Sequence, residues 1–297
     1  MRRLLASVAS VVLVAVLLAG CGVAGDLDRD LTDGWGSLGT AQPFTPRAGE
    51  CHPDAEPLGH LSTYRPVDCA LAHLVETFHV GTFTGEPAGR AVPPRVGSAQ
   101  MRPAFTECDR RAGEFVGGDW RDSRLSVQVT PPSPRGWAGG SRWFRCDLFV
   151  LDEVAGPNGA SDRAVQHSGT LRSVLSRDSP LRLTCFDEDE GSRLRPEPCA
   201  GPHRFEYVGT WTTSERQWTR AADDEEALHA RCREMIAEYA GVPVDERLRY
   251  RTGSAFRLPS REAWSRGDRG VRCFYWSGGR PLSDSIRAGG TAVLPVN

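Results

Sequence analysis

The spacing of the cysteines constrains this chain more than any other feature of its sequence. The 297 residues contain nine cysteines. Eight of them fall into two groups of four, namely Cys51, Cys69, Cys108 and Cys146, then Cys185, Cys199, Cys232 and Cys273. This count is high for a cytosolic protein but ordinary for an exported one, in which cysteines pair as disulfides. We therefore expect an exported chain that folds as two units of similar plan.

Several blocks of sequence recur in the same order around the two groups. Residues 132–146 read PSPRGWAGGSRWFRC, and residues 259–273 read PSREAWSRGDRGVRC. A looser match pairs residues 161–170 with residues 283–291. Matching blocks in one order indicate a tandem duplication of a unit of about 110 to 125 residues. We place the first copy at 47–175 and the second at 180–297.

Both copies contain the same pattern of predicted secondary structure. Each has a strand rich in β-branched and aromatic residues, then a helix with one apolar face that ends at a glycine, then two more strands. We predict the order β-β-α-β-β for each copy, with the first strand not assigned to a segment, and thus an α+β unit in which one helix packs on a mainly antiparallel sheet. The segments concerned are 76–83, 101–118, 125–130 and 142–152 in the first copy, and 206–211, 223–241, 248–253 and 270–276 in the second.

The repeat also suggests how the eight cysteines pair. In each copy the third cysteine lies on the apolar face of the predicted helix, and the fourth lies in a following strand. A disulfide between them would fasten the helix to the sheet and leave the first two cysteines to pair with each other. Each closed loop stabilises the fold by about 3–4 kcal/mol through chain entropy. The predicted pairs are Cys108–Cys146, Cys232–Cys273, Cys51–Cys69 and Cys185–Cys199.

The amino terminus resembles a bacterial lipoprotein signal. Arg2 and Arg3 precede an apolar run, which ends in the sequence Leu-Ala-Gly-Cys at residues 18–21. The resemblance implies removal of residues 1–20, a lipid on Cys21 and a tether that extends to residue 46. An ordinary secretory signal is the alternative, and the two arginines leave twin-arginine export open.

The His-x-x-Glu pairs, His73 with Glu76 and His203 with Glu206, are the strongest candidates for a site. On a helix, residues three apart share a face and can bind a metal or transfer protons. Here each pair leads into a predicted strand, where such positions point to opposite faces, so a joint site is disfavoured. We expect structural hydrogen bonds, with contact to a partner as the alternative. With every cysteine paired and no serine-hydrolase motif, we expect no catalytic residue, metal ion or cofactor.

Charge and composition narrow the choice of function. The formal net charge is −2, which gives no reason to expect nucleic acid as a partner. The residues that both copies share are mainly cysteine, tryptophan, glycine and proline, which favours a binding or scaffolding module over an enzyme. Two alternatives stay open. One is an envelope enzyme acting on peptidoglycan or its precursors; the other is a glycan-binding module that uses Trp120, Trp211 or Trp264.

The frame of shared residues resembles the septum-formation domain family of actinobacterial envelope proteins. The family's pattern falls on Cys69, His73, Glu76, Cys108, Trp137, Gly140, Arg142 and Cys146, and again on Cys199, His203, Glu206, Cys232, Trp264, Gly267, Arg269 and Cys273. The resemblance implies a link to the division septum and no catalytic residues. We therefore expect a non-catalytic protein, lipid-anchored on the extracytoplasmic face of the membrane, that binds an envelope protein or a cell-wall component.

Overall fold

The computed structural model describes residues 43–55, 64–154, 163–189 and 193–296. The signal segment, the lipid attachment site Cys21 and nearly all of the tether lie outside these ranges, so the predictions made for them stay predictions. Within the described residues, no helix is long and apolar enough to cross a membrane.

The first copy is an antiparallel sheet with one long helix packed on it. Its strands lie in the order β1-β2-β4-β3, with β5 beside β4. The strands are β1 (Glu50–His52), β2 (Val75–Thr82), β3 (Leu125–Thr130), β4 (Trp143–Leu151) and β5 (Ala164–Val165). The helices are α1 (Gly85–Ala88), α2 (Arg102–Val116) and α3 (Pro134–Ala138). The long helix α2 supplies most of the buried helical residues of this copy.

The second copy repeats this plan, and its sheet also has five strands among the described residues. Its sheet has the order β7-β6-β8-β10-β9, again antiparallel. The strands are β6 (Cys185–Glu188), β7 (Leu194–Glu197), β8 (Phe205–Thr212), β9 (Gly253–Arg257) and β10 (Gly270–Trp276). The helices are α4 (Trp218–Asp223), α5 (Glu225–Ala240), α6 (Leu248–Arg251), α7 (Arg261–Arg266) and α8 (Gly290–Val293). The α+β class and the β-β-α-β-β core predicted from the sequence are confirmed.

One predicted element is wrong. The segment 248–253 was expected to be a strand, but Leu248–Arg251 is the helix α6 and the strand begins only at Gly253. Leu248 is buried in the same apolar cluster as Ile236 of α5, so packing against the long helix decides the local conformation. The following strand β9 forms because it pairs with β10, although its own residues have modest strand propensity.

Two disulfides fasten the long helices to their sheets, and two more fasten the first strands to loops. Cys108–Cys146 joins α2 to β4, and Cys232–Cys273 joins α5 to β10, with Cα separations of 5.5 and 5.2 Å. The other two pairs, Cys51–Cys69 and Cys185–Cys199, fasten β1 and β6 to the loops that lead into β2 and β8. All four are the pairings that the repeat predicts. Both long helices end at a glycine in the left-handed conformation, Gly117 and Gly241, where a side chain would be strained.

The two copies contact each other through a polar joint. The Arg121 guanidinium, just after α2, donates from Nε to the Asp268 carboxylate of the second copy at 2.9 Å. Arg272 of β10 donates in turn to the main-chain oxygen of Arg121 at 2.8 Å. A third contact joins Arg102 of α2 to the main-chain oxygen of Ser265 in α7 at 3.0 Å. The two copies therefore belong to one compact unit rather than to two independent domains.

Candidate functional site

The tryptophan and arginine that recur in the two copies make the same contact in each. The Arg142 guanidinium lies 4.2 Å above the buried ring of Trp137 and donates to the Trp137 carbonyl at 2.8 Å. Arg269 lies 4.2 Å above Trp264 and donates to its carbonyl at 2.6 Å. In each copy the guanidinium stacks on the tryptophan and also binds the end of a short helix, α3 or α7. It therefore stabilises the turn into the next strand, β4 or β10. These motif residues are structural.

The tryptophans expected to bind a glycan are mostly inaccessible. Trp120 and Trp264 are buried, and Trp211 is only partly exposed. A sugar ring stacks on the open face of an aromatic side chain, which the first two do not offer. The glycan-binding alternative therefore has little support from these residues.

The two His-x-x-Glu pairs are buried inside the fold. His73, Glu76, His203 and Glu206 are each no more than 2 % exposed. The expectation that strand geometry separates each pair is wrong, since Nε2 of His203 lies 4.0 Å from Oε2 of Glu206. Both histidines precede the regular strand, which begins at residue 75 or 205, so alternation does not apply to them. Such burial leaves no surface for direct contact with a partner.

In the first copy the glutamate holds a segment that we call the first strap, residues 167–172. The Glu76 carboxylate accepts hydrogen bonds from Oγ1 of Thr170 and from the main-chain N–H of Leu171, both at 2.6 Å. The main chains of His73 and His167 also exchange two hydrogen bonds of 2.9 Å. The pair therefore fastens the carboxyl-terminal part of the copy to the start of β2.

The second copy holds a corresponding second strap, residues 282–287. The Glu206 carboxylate accepts from the Ser285 hydroxyl, from the Ile286 N–H at 2.8 Å and from the Tyr239 hydroxyl at 2.6 Å. The main chains of His203 and Leu282 exchange two hydrogen bonds, as His73 and His167 do in the first copy. In both copies, a buried glutamate thus fastens the strap to the start of the long central strand, β2 or β8.

The straps correct the alignment of the last repeated block. The sequence match of 161–170 with 283–291 is wrong, because the contacts to glutamate place residues 167–172 against 282–287. The two segments read HSGTLR and LSDSIR, which share serine, a hydroxyl residue, a branched apolar residue and arginine. That short pattern could have revealed the correct alignment from the sequence. At its first position, His167 of the first copy corresponds to Leu282 of the second.

A cleft of about 780 Å³ lies between the two copies. We call it the inter-copy cleft, and its volume is within the range of pockets that bind small ligands or peptide side chains. Residues 177–184, which lead from the first copy into the second and which we call the connecting segment, form one wall. The main-chain N–H of Leu183 donates to the Asp122 carbonyl at 3.0 Å, and the main-chain N–H of Tyr207 donates to the Thr184 carbonyl at 2.7 Å. The lining residues are Asp122, Arg177, Asp178, Arg182, Leu183, Thr184, Tyr207, Val208, Gly209, Tyr239 and Arg287.

Asp122 and Tyr207 form a polar contact across the cleft. The Tyr207 hydroxyl donates to the Asp122 carboxylate and lies 2.7 Å from Oγ1 of Thr210. Burial raises the pKa of Asp122, and this outweighs the opposing effect of the Tyr207 hydrogen bond. Burial and the adjacent Asp122 also raise the pKa of Tyr207, which therefore keeps its proton. The contact joins the two copies within the lining of the cleft.

Three arginine side chains contribute positive charge to the lining of the cleft. Arg287 of the second strap lies 4.7 Å above the half-buried ring of Tyr239, and Arg177 is exposed. Arg182 donates to the main-chain oxygen of Leu175. The lining therefore holds three arginines against two aspartates, a balance that suits an anionic group beside a flat apolar one. A smaller cavity beside Arg121, about 80 Å³, has room for only a few water molecules.

None of the cleft residues was found by sequence reasoning as a site. They come from five separated parts of the chain, and the two aspartates and the arginines other than Arg287 lie outside the repeated blocks. The search for repeated residues therefore pointed away from them.

Comparison with known proteins places the chain in a family. A family model described as septum formation matches residues 48–273, about three quarters of the chain. The match starts just before β1 of the first copy and ends at Cys273 in the last strand of the second. No curated protein and no solved structure matches the chain. The chain belongs to the septum formation family.

Proposed function

We propose that the protein is a non-catalytic binding protein of the cell envelope, anchored to the extracytoplasmic face of the membrane through a lipid on Cys21, and that it engages an envelope partner during septum formation. The observation that carries the proposal is the inter-copy cleft, which has the size of a binding site and an excess of arginine. The partner that fits it presents a carboxylate or phosphate group next to a flat apolar or ring group.

The structural roles of the repeated residues support a binding function over a catalytic one. The shared cysteines form disulfides, the shared tryptophans and arginines stack on each other, and the shared glutamates hold the straps. These residues are therefore committed to the framework of each copy. The cleft forms only where the two copies meet, which gives the duplicated fold a surface that a single copy lacks.

Photo-crosslinking in dividing cells tests the proposal. A benzoylphenylalanine at Asp178, which is exposed and lines the cleft, should capture a partner that is absent when the same probe replaces Asp223. Asp223 is also exposed but does not line the cleft. The same capture from both positions, or none from Asp178, would contradict a partner site in the cleft.

An envelope enzyme acting on peptidoglycan is the second candidate, and Asp122 is the observation that favours it. A carboxyl whose pKa is raised by burial at the edge of a cleft can hold a proton for transfer to a substrate. Purified protein would be incubated with peptidoglycan fragments and the products followed by mass spectrometry. Products that disappear in Asp122→Asn would establish the enzyme. We expect no products from the unaltered protein.

A further inference from the structure

Three side chains that can ligate a metal converge in the first copy. The ligating atoms of His73, Glu76 and His167 all lie within 4.8 Å of one another. His73 and Glu76 are buried, His167 is partly exposed, and the two imidazole rings are 4.2 Å apart between centroids. His167 belongs to the first strap and not to the His-x-x-Glu motif, so the third ligand is supplied by the fold rather than by the motif.

The hydrogen bonds of His73 fix which nitrogen is available. Its Nδ1 lies 2.8 Å from the carbonyl oxygen of Leu71, which can only accept, so Nδ1 carries the proton. In the neutral ring this leaves a lone pair on Nε2, and within the described residues that buried atom has no hydrogen-bond partner. A metal-ligating histidine commonly has this arrangement, with its second nitrogen bonded to a main-chain oxygen.

The other two ligands, His167 and Glu76, also have lone pairs that no hydrogen bond of the described residues occupies. Among the described residues, neither ring nitrogen of His167 has a hydrogen-bond partner, although both atoms are buried. Each oxygen of Glu76 accepts one hydrogen bond from the first strap, which orients the carboxylate and leaves a lone pair on each atom. The polar atoms that remain unpaired here therefore face one another.

The second copy provides an internal comparison. His203 keeps the same contact, with Nδ1 2.8 Å from the Gly201 carbonyl and a buried Nε2 beside Glu206. Leu282 stands where His167 stands in the first copy, because each exchanges two main-chain hydrogen bonds with the histidine of the motif. The other groupings of potential ligands in the described chain include disulfide-bonded cysteines, which have no thiolate to offer.

We propose that His73, Glu76 and His167 form a binding site for a divalent transition metal ion of the zinc class, present in the first copy only. Two imidazoles and one carboxylate are a ligand set that zinc accepts, with a fourth position for water. Ligand atoms at about 2.0–2.2 Å from zinc lie about 3.4 Å apart in a tetrahedral site. Since the ligand atoms lie no more than 4.8 Å apart, closing the site requires each separation to shrink by at most about 1.4 Å, and the bound ion fastens the first strap to β2.

Metal titration of the complete, disulfide-bonded chain tests the site. After treatment with a chelator, Zn²⁺ would be added in a calorimeter and Co²⁺ would be followed by visible absorption, which reports a tetrahedral site directly. We expect one equivalent of each ion per chain and, with excess Zn²⁺, a rise in Tm of about 5 °C. The informative variant is His167→Leu, which gives the first copy the leucine that the second copy has at this position. It should fold normally and lose at least about tenfold in Zn²⁺ affinity.

The control is His79→Leu. His79 forms a partly exposed pair with Glu107 at 2.6 Å on the same copy, so it is an alternative source of adventitious binding. We expect this variant to bind Zn²⁺ as the unaltered chain does. No binding by the unaltered chain, full affinity in His167→Leu, or a loss of binding in His79→Leu would each overturn the proposal.

Discussion

Replacing Arg121 by alanine tests whether the two copies depend on each other. The Arg121 side chain pairs with Asp268 of the second copy at 2.9 Å and with Asp109 of α2 at 2.8 Å. It also stacks 4.4 Å above the ring of Trp120. Burial by itself would lower the pKa of Arg121, but the carboxylates of Asp268 and Asp109 raise it overall, so the side chain is charged at every relevant pH. The substitution would leave Asp268 without its main cation.

The expected loss of stability in Arg121→Ala depends on how deeply the Arg121–Asp268 pair is buried. The Arg121 and Asp268 side chains are 13 % and 10 % exposed. Breaking a fully buried ion pair costs about 3–5 kcal/mol, and an exposed pair contributes about 0–1 kcal/mol. For this largely buried pair we expect Arg121→Ala to lower the free energy of unfolding by about 2–4 kcal/mol. The matched control is Arg110→Ala, whose pair with Glu114 is more than half exposed, at 56 % and 52 %, and should cost less than about 0.5 kcal/mol.

Urea denaturation under non-reducing conditions, followed by tryptophan fluorescence, measures both costs. We expect a single transition for the unaltered chain, a clearly lower midpoint for Arg121→Ala and little change for Arg110→Ala. Equal effects of the two substitutions, or a loss below about 1 kcal/mol for Arg121→Ala, would refute the view that this joint supports the inter-copy cleft.

Three further predictions concern the framework. Glu206→Gln weakens the acceptor of three hydrogen bonds, so we expect the free energy of unfolding to fall by about 1–3 kcal/mol. Trypsin should then cleave faster after Arg287. An unchanged cleavage rate would contradict the role of Glu206 in holding the second strap. Replacing Cys232 and Cys273 together by serine opens a link between residues 41 apart and should cost about 4 kcal/mol, measured by denaturation. Burial lowers the pKa of His52 from 6.5 to about 4, so the unfolded chain binds more protons between those values and stability falls as the pH falls through that window. His52→Gln should flatten that part of the stability–pH curve, and an unaltered slope would contradict the assignment.

The parts of the fold that depend on local pattern could be predicted from the sequence. The strands Leu125–Thr130 and Gly270–Trp276 have the predicted bounds, since alternation and β-branched or aromatic residues mark them clearly. The disulfide pairing also followed, because the repeat placed corresponding cysteines in corresponding elements. The helix Leu248–Arg251 was missed because its conformation depends on burial against α5, which no local pattern reveals.

The candidate sites were harder to predict because they arise from packing. Asp122, Tyr207 and Arg287 are far apart in the chain and meet only where the copies and the connecting segment pack together. His167 joins His73 through main-chain pairing of the first strap, and its correspondence with Leu282 was hidden by the incorrect alignment of that block. Repetition marks what both copies need for folding, and Asp122 and His167 are not repeated.

Imaging of the tagged, full-length protein in dividing cells tests the central claim most directly. Three forms would be compared: the unaltered protein, Arg287→Glu and Arg249→Glu. Arg249 lies 4.9 Å above Tyr250 on the surface, much as Arg287 lies above Tyr239, but it does not line the inter-copy cleft. We predict enrichment of the unaltered protein and of Arg249→Glu at the forming septum, and an even membrane distribution of Arg287→Glu. Septal enrichment of Arg287→Glu, or an even distribution of the unaltered protein, would contradict a septal partner bound in the cleft.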